Sequence, residues 1–293
     1  MDWKPDWGLR IRMLLTMFLL FALYIVFAGV VTAYVGGGLA LFAVLFASFS
    51  LVQYYFSDTL TLRSMGAKEV SPEEYPQLHA SVERLSQQAD LPKPKVAVMD
   101  SRVPNAFATG RNQNNAAVAV TTGLLRTLDR EELDGVIAHE LAHVKNRDMM
   151  VMTIASFLST IAFMMVRWGA LFGGRGRGGR GGGGVAVAIL VSLLVWIISY
   201  LLIRALSRYR EFAADRGAAA ITGNPSALAS ALMKISGEVE KVPDRDLREE
   251  AEMNAFFIIP LKSGVVGRLF STHPATERRI EQLRQLERDM TTI

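Results

Sequence analysis

The apolar positions of this chain fall into two kinds of pattern. Four stretches are continuous: Met13 to Val35 runs 23 residues without a charge, Leu39 to Phe56 runs 18, Met149 to Val166 another 18, and Val185 to Ile203 runs 19. Each has the length of a bilayer-crossing helix, and the first is too long for a signal-peptide core. Gly36-Gly37-Gly38 parts the first two, so they read as a tight transmembrane hairpin. Elsewhere the pattern is periodic. Leu78, Val82, Leu85 and Ala89 recur at helical spacing after Ser71-Pro72-Glu73-Glu74, which offers Ser as N-cap, Pro at N1 and Glu at N3 and predicts a helix start there. Leu133, Val136, Ile137, Leu141 and Val144 predict a second helix, opened by Asp129 as N-cap and Glu132 at N3. Lys95–Met99 and Ala116–Thr121 are short apolar runs bounded by Pro92, Pro94 and the polar turn Arg111 to Asn115. They predict two strands of a small sheet.

Flanking charge orients the apolar stretches. Lys4, Arg10 and Arg12 precede the first, Arg63 and Lys68 follow the second, and Arg204, Arg208 and Arg210 follow the fourth. By the positive-inside rule these flanks are cytoplasmic. The organisation expected is therefore a cytoplasmic N-terminus (1–12), a transmembrane hairpin (13–56), a cytoplasmic part (57–148), two further spans (149–203) and a second cytoplasmic part (204–293). One segment runs against the rule. Gly173 to Gly184 holds nine Gly and three Arg and falls on the outer side. Either this short loop is overruled by its neighbours, or the third and fourth stretches do not cross fully. Such Arg-Gly tracts bind RNA in other settings, but between two apolar runs a flexible connector is the favoured reading.

Composition narrows the chemistry. Of 293 residues, 51% are hydrophobic and none is Cys, so disulfides and thiolate metal ligands are excluded. The net charge of +4 makes no case for a nucleic-acid partner.

The second periodic helix carries His139-Glu140-Leu141-Ala142-His143, and the chain holds only four His. Residues four apart share a helix face, so both imidazoles can reach one metal ion. Glu140 lies about 100° further round, placed to act as a general base rather than as a third ligand. A lone His on such a helix is ordinarily a packed, hydrogen-bonded residue; two at this spacing beside a carboxylate favour a metal site. A catalytic zinc needs a third protein ligand. Asp148, Glu211, Asp215 and His273 are the candidates. Asp148 is badly placed five residues past His143. Glu211 and Asp215 share a helix face, where one carboxylate can bind the metal while the other orients a ligand His; an exposed acidic face paired with Arg208, Arg210 and Arg216 is the alternative. The strand at Ala116 either presents an edge to an extended substrate or is an ordinary core strand. The helix bearing His139 runs almost directly into the third apolar stretch, which places the site near the membrane and points to membrane proteins as substrates.

His139-Glu140-Leu141-Ala142-His143, Asn105-Ala106-Phe107-Ala108-Thr109-Gly110, the Glu211…Asp215 helix and Ser271-Thr272-His273-Pro274 occur together. Over nearly its whole length the chain resembles the HtpX family of membrane zinc peptidases, relatives of the CAAX prenyl proteases. The resemblance implies a mainly α membrane protein with four apolar helical spans and a cytoplasmic α+β domain of the zincin (gluzincin) type built around a small sheet. It implies one Zn2+ ion per chain on His139, His143 and Glu211, with Glu140 as base and Asp215 in support. Asn105 and His273 would lie near the site to bind substrate or stabilise the oxyanion, although His273 equally suits the start of the last helix. The expected role is proteolysis of damaged or misfolded membrane proteins, a stress response, in the cell membrane of a prokaryote with the site facing the cytoplasm. The partners implied are protein substrates and the bilayer; nothing speaks to oligomeric state. The Gly/Arg tract departs from the family pattern. The rival readings are a transporter with an incidental motif and a metal-binding regulatory membrane protein without hydrolysis.

Overall fold

The computed structural model describes residues 7–35, 55–148, 182–241 and 275–291. In chain order the elements are α1 (Trp7–Val35), α2 (Ser57–Ser64), β1 (Ala67–Glu69), α3 (Pro76–Gln88), β2 (Lys95–Met99), β3 (Ala106–Asn112), β4 (Asn115–Thr121), α4 (Thr122–Thr127), α5 (Arg130–Asn146), α6 (Gly182–Thr222), α7 (Pro225–Lys241) and α8 (Thr276–Thr291). Their contacts divide the chain into two units, one of residues 7–55 and 151–206, the other of residues 1–6, 56–150 and 207–293.

In the first unit, α1 buries Leu9, Met13, Thr16 and Leu20, spaced as one helix face. Leu20 packs on Ile203 and Leu202 of α6. The opposite face of α1 exposes Trp7, Ile11, Leu14, Leu15, Phe18 and Phe21, and α6 exposes Leu190, Leu193, Leu194, Ile197, Ile198 and Leu201. The expected spans at 13–35 and 185–203 fall on α1 and α6, and those at 39–56 and 149–166 lie almost entirely outside the described residues. Among the described residues, no helix is long and apolar enough to cross a membrane. The Gly/Arg loop 173–184 also lies outside them, apart from its last three residues.

The second unit is mostly helical around a four-stranded mixed sheet of order β1-β2-β4-β3. β1 and β2 run antiparallel, β2 and β4 parallel, and β3 and β4 antiparallel. Both faces are covered. Ala97, Met99, Phe107, Ala117 and Ala119 pack on Leu62 and Met65 at α2, while Val96, Val98, Ala116, Val118 and Val120 join the main core. That core continues through Leu78, Val82 and Leu85 of α3, Val136, Ile137, Leu141 and Val144 of α5, and Leu228, Leu232 and Ile235 of α7. The alternation along β2 and β4 is the period-2 signature of strands that divide their side chains between two layers.

α5 begins where the sequence places it. The Asp129 carboxylate accepts from the Glu132 N–H at 3.0 Å and the Glu132 side chain accepts from the Asp129 N–H at 3.0 Å, a complete capping box. Gly135 lets α7 come close, because a Cβ there would lie 3.0 Å from the Leu228 nitrogen.

One expectation is corrected and one open alternative is decided. Ser71 and Glu74 do pair reciprocally, at 2.9 and 3.4 Å, but they close a separate turn and the helix starts at Pro76. Proline restricts the residue before it to extended backbone, and Tyr75 adopts φ −133° and ψ 64°, so no helix runs through both Pro72 and Pro76. Of the two readings of the strand at Ala116, the ordinary core strand holds. β4 is paired on both sides and its alanines are buried; the edge strands are β1 and β3, neither of which the apolar pattern predicts, and β3 is the longer.

Candidate metal centre

α5 turns its buried face toward α6, and the two imidazoles converge there. His139 Nε2 and His143 Nε2 are 3.2 Å apart, with the rings nearly perpendicular at 85°. Glu211, on the part of α6 that belongs to the same unit, reaches both: Oε2 lies 3.5 Å from His139 Nε2, and Oε1 lies 3.6 Å from His143 Nε2. Donor atoms of all three lie within 4.8 Å of one another, and all three residues are buried. Ligands bound tetrahedrally at roughly 2.0–2.1 Å sit about 3.3 Å apart. The observed spacings match that value, so the donor set fits a small divalent cation that accepts nitrogen and oxygen.

Each ring is held from behind. His139 Nδ1 lies 3.0 Å from Asp215 Oδ1, one turn beyond Glu211. His143 Nδ1 lies 2.6 Å from Asp148 Oδ2. A carboxylate at Nδ1 takes the ring N–H and leaves the Nε2 lone pair directed inward. Asp148 is thus outside the three-donor cluster, behind His143. Asp215 is itself gripped by Arg279 of α8, which donates from Nε at 2.9 Å and from Nη2 at 2.7 Å; Nη1 lies 3.4 Å from Glu211 Oε2. Arg279 is only 1% exposed.

The charges follow from this packing. Burial and the Arg279 charge work to lower the His139 pKa, but hydrogen bonds to Asp215 and Glu211 outweigh them and raise it to about 9. The same carboxylates favour any cation bound among these donors. Burial works to raise the Asp215 carboxyl, yet the Arg279 charge and the His139 hydrogen bond hold it below the usual range. Burial pushes the Glu140 carboxyl above the ordinary range, with the His139 and His143 charges and a hydrogen bond from the Ala108 backbone pulling the other way. That last contact sets Glu140 against β3.

Of the sequence-derived site residues, the structure brings together His139, Glu140, His143, Glu211 and Asp215. Asn105 is buried just before β3. Its backbone is tied to Thr121 in both directions, its N–H donating to Thr121 Oγ1 at 2.9 Å and its carbonyl accepting from the Thr121 N–H at 2.9 Å. His273 lies outside the described residues. Sequence reasoning missed Arg279 altogether and saw Asp148 only as a poor ligand. Nothing in the polar run Thr276-Glu277-Arg278-Arg279 separates Arg279 from its exposed neighbours, because its partners come from other segments of the chain.

A family model described as Peptidase family M48 matches residues 72–287. A protein named Protease HtpX homolog from Moorella thermoacetica is 56% identical over 295 residues, covering 97% of this chain and 96% of the relative. Another, Protease HtpX homolog 2 from Methanosarcina mazei, is 56% identical over 293 residues and 99% of both chains. The crystal structure of S. mikatae Ste24p superposes with a TM-score of 0.55 at 16% identity, over 94% of this chain and 66% of that one, a likeness of fold.

Proposed function

The chain belongs to peptidase family M48 and is a metallopeptidase, and from that premise we propose that it is a zinc-dependent endopeptidase of the membrane. The observation that carries the reading is the three-donor cluster of His139, His143 and Glu211, spaced for tetrahedral coordination, with the Glu140 carboxyl buried on the intervening turn. In it His139, His143 and Glu211 hold one Zn2+ ion and Asp215 fixes the His139 ring.

Bound there, zinc would supply Lewis-acid polarisation of the scissile carbonyl and would acidify the attacking water. The chain's own groups do the rest. Glu140 takes the proton of the attacking water and delivers it to the leaving amine. Its raised pKa suits both halves of that task, since a base whose pKa lies nearer neutrality also makes a competent acid. Burial keeps bulk water away from the reacting atoms. The substrate lies extended along the outer side of β3, where main-chain hydrogen bonds hold a strand without demanding a sequence. The Ala108–Glu140 contact supports this, because it sets the base beside that strand. Asn105 and His273 assist substrate binding or oxyanion stabilisation.

The membrane assignment is supported by the inverted character of α1 and α6, whose outward faces carry Trp7, Phe18, Phe21, Leu194 and Leu201. Large apolar side chains on an outer face suit lipid rather than water. In this reading 13–56 is a transmembrane hairpin, 149–203 holds two more spans, and 57–148 with 204–293 forms a cytoplasmic protease part acting on damaged or misfolded membrane proteins in a prokaryotic cell membrane. The decisive experiment is Glu140→Gln on the purified full chain, with bound zinc and casein cleavage measured together. Zinc is retained and cleavage falls by at least a hundredfold. Cleavage retained by that variant removes Glu140 as base, and a wild type that binds zinc without cleaving anything makes the chain a metal-binding regulator.

A further inference from the structure

His143 is braced by a pair of charged groups with no part in the mechanism above. Asp148 is wholly buried, and its Oδ2 lies 2.6 Å from His143 Nδ1 and 3.3 Å from Arg210 Nε. Neither its other oxygen nor Arg210 Nε has a hydrogen-bond partner among the described residues, so Arg210 meets Asp148 as an ion pair. The backbone is bent to bring this carboxylate back. α5 ends at Arg147 in the left-handed conformation, φ 61° and ψ 28°, with its N–H turned onto the His143 and Val144 carbonyls. A non-glycine residue adopts that conformation at a cost, and such strain persists where the surroundings impose it. The next residue, Asp148, lands behind the ring five positions earlier. Arg210, nine-tenths buried, directly precedes Glu211 on α6, so one stretch of helix supplies both the third donor and the cation facing Asp148.

We infer that Asp148 and Arg210 are positioning residues for His143: Asp148 fixes the ring with Nε2 toward Glu211, and Arg210 holds Asp148 in place. The inference rests on the proposed metal site. A ligand imidazole must keep its lone pair on the metal-facing nitrogen, hence its proton on the other. An ionised carboxylate accepts only, so it selects that tautomer; an amide can accept or donate and selects neither. Burying the carboxylate is tolerable only against a positive charge and a strong donor, which Arg210 and the ring N–H provide. The arrangement parallels on His143, through an ion pair in place of two hydrogen bonds, what Arg279 and Asp215 do on His139.

The test uses the purified full-length protein and zinc competition against a chromogenic chelator, with thermal melts of the chelator-stripped protein alongside. Asp148→Asn weakens zinc binding by about 10–100-fold, the range for losing a group that orients a metal ligand. Arg210→Met weakens it too, and Arg210→Lys, which keeps the charge, restores most of the loss. A wild type that binds no zinc removes the metal-site reading itself. Wild-type zinc affinity in Asp148→Asn, beside a wild type that binds zinc, overturns the brace alone. A lower melting midpoint with unchanged affinity in either variant also overturns it, because a merely structural pair would behave so. Where Asp148→Asn does not fold, the Arg210→Met and Arg210→Lys affinities decide: equal values in both overturn the inference.

Discussion

Arg279→Met puts the buried charge network to its sharpest test. Methionine fills much of the volume and removes only the guanidinium. In the native protein that group makes two hydrogen bonds to Asp215, at 2.9 and 2.7 Å, and approaches Glu211 at 3.4 Å, with Asp215 and Arg279 each 1% exposed. Water cannot replace those donors. Truncating one member of a fully buried, hydrogen-bonded ion pair costs about 3–5 kcal/mol, because the surviving charge keeps its desolvation penalty. For a unit of this size that corresponds to a fall of roughly 6–20 °C in melting midpoint. The measurement is a thermal melt of chelator-stripped protein, so that lost metal affinity does not add to lost stability. Asp215→Leu in the Arg279→Met background should recover part of the loss, since it removes the orphaned carboxylate, whereas independent sites would add their costs. A midpoint within about 2 °C of wild type, an effect below roughly 1 kcal/mol, would show that water reaches the pair and refute the reasoning.

Three further outcomes follow from other parts of the molecule. Asp129→Ala removes the N-cap of α5 and costs about 1 kcal/mol. Because the Glu132 N–H holds the Asp129 carboxyl below its usual range, the wild type's advantage is full above the ordinary carboxylate pKa and fades as pH falls through the lowered one; denaturant melts from pH 7 downward check it. Gly135→Ala gains up to roughly 1 kcal/mol of helix propensity, but its Cβ meets the α7 backbone at 3.0–3.1 Å, and overpacking of about 1–3 kcal/mol wins, so the net change in a urea melt is destabilising. Chelation abolishes peptidase activity and zinc restores it; at a thousandfold excess over Kd, zinc also adds about 4 kcal/mol to the stability of the stripped protein, visible as a concentration-dependent midpoint.

What was legible in the sequence was whatever repeats locally. The capping box at Asp129 and Glu132, the apolar stripe of α5 and the i, i+4 spacing of His139 and His143 all depend on residues within a turn or two of each other. What stayed hidden depended on pairing across the chain. β3 is rich in small and polar residues and has no alternation strong enough to mark it, yet it becomes an edge strand because β4 lies between it and β2. The start of α3 was misplaced because two overlapping local signals competed, and Pro76 overrode the Ser71 cap. Arg279 draws no notice, and Arg210 reads as a flanking charge or a surface partner of Glu211 and Asp215, because the groups that face them come from other segments.

Convergence also fixes the charge of the site, and with it the kind of ion the donors suit. Around the His139 and His143 rings the described residues place four buried carboxyl groups, Glu140, Asp148, Glu211 and Asp215, and two buried guanidiniums, Arg210 and Arg279. With both rings neutral and all four carboxyls ionised, two negative charges remain without a counter-charge. Isolated buried charge is among the most expensive things a fold can hold, and a protein relieves it by pairing, by protonation or by binding a cation. Protonation is the direction in which His139 and Glu140 are both shifted, the ring toward keeping its proton and the acid toward gaining one. A single divalent ion cancels the deficit outright and leaves Glu140 ionised, the form a general base requires. The two arginines are therefore more than packing. Without them the deficit would be four, too large for one divalent ion; with more cations it would vanish, and the donors would have no electrostatic reason to bind a metal.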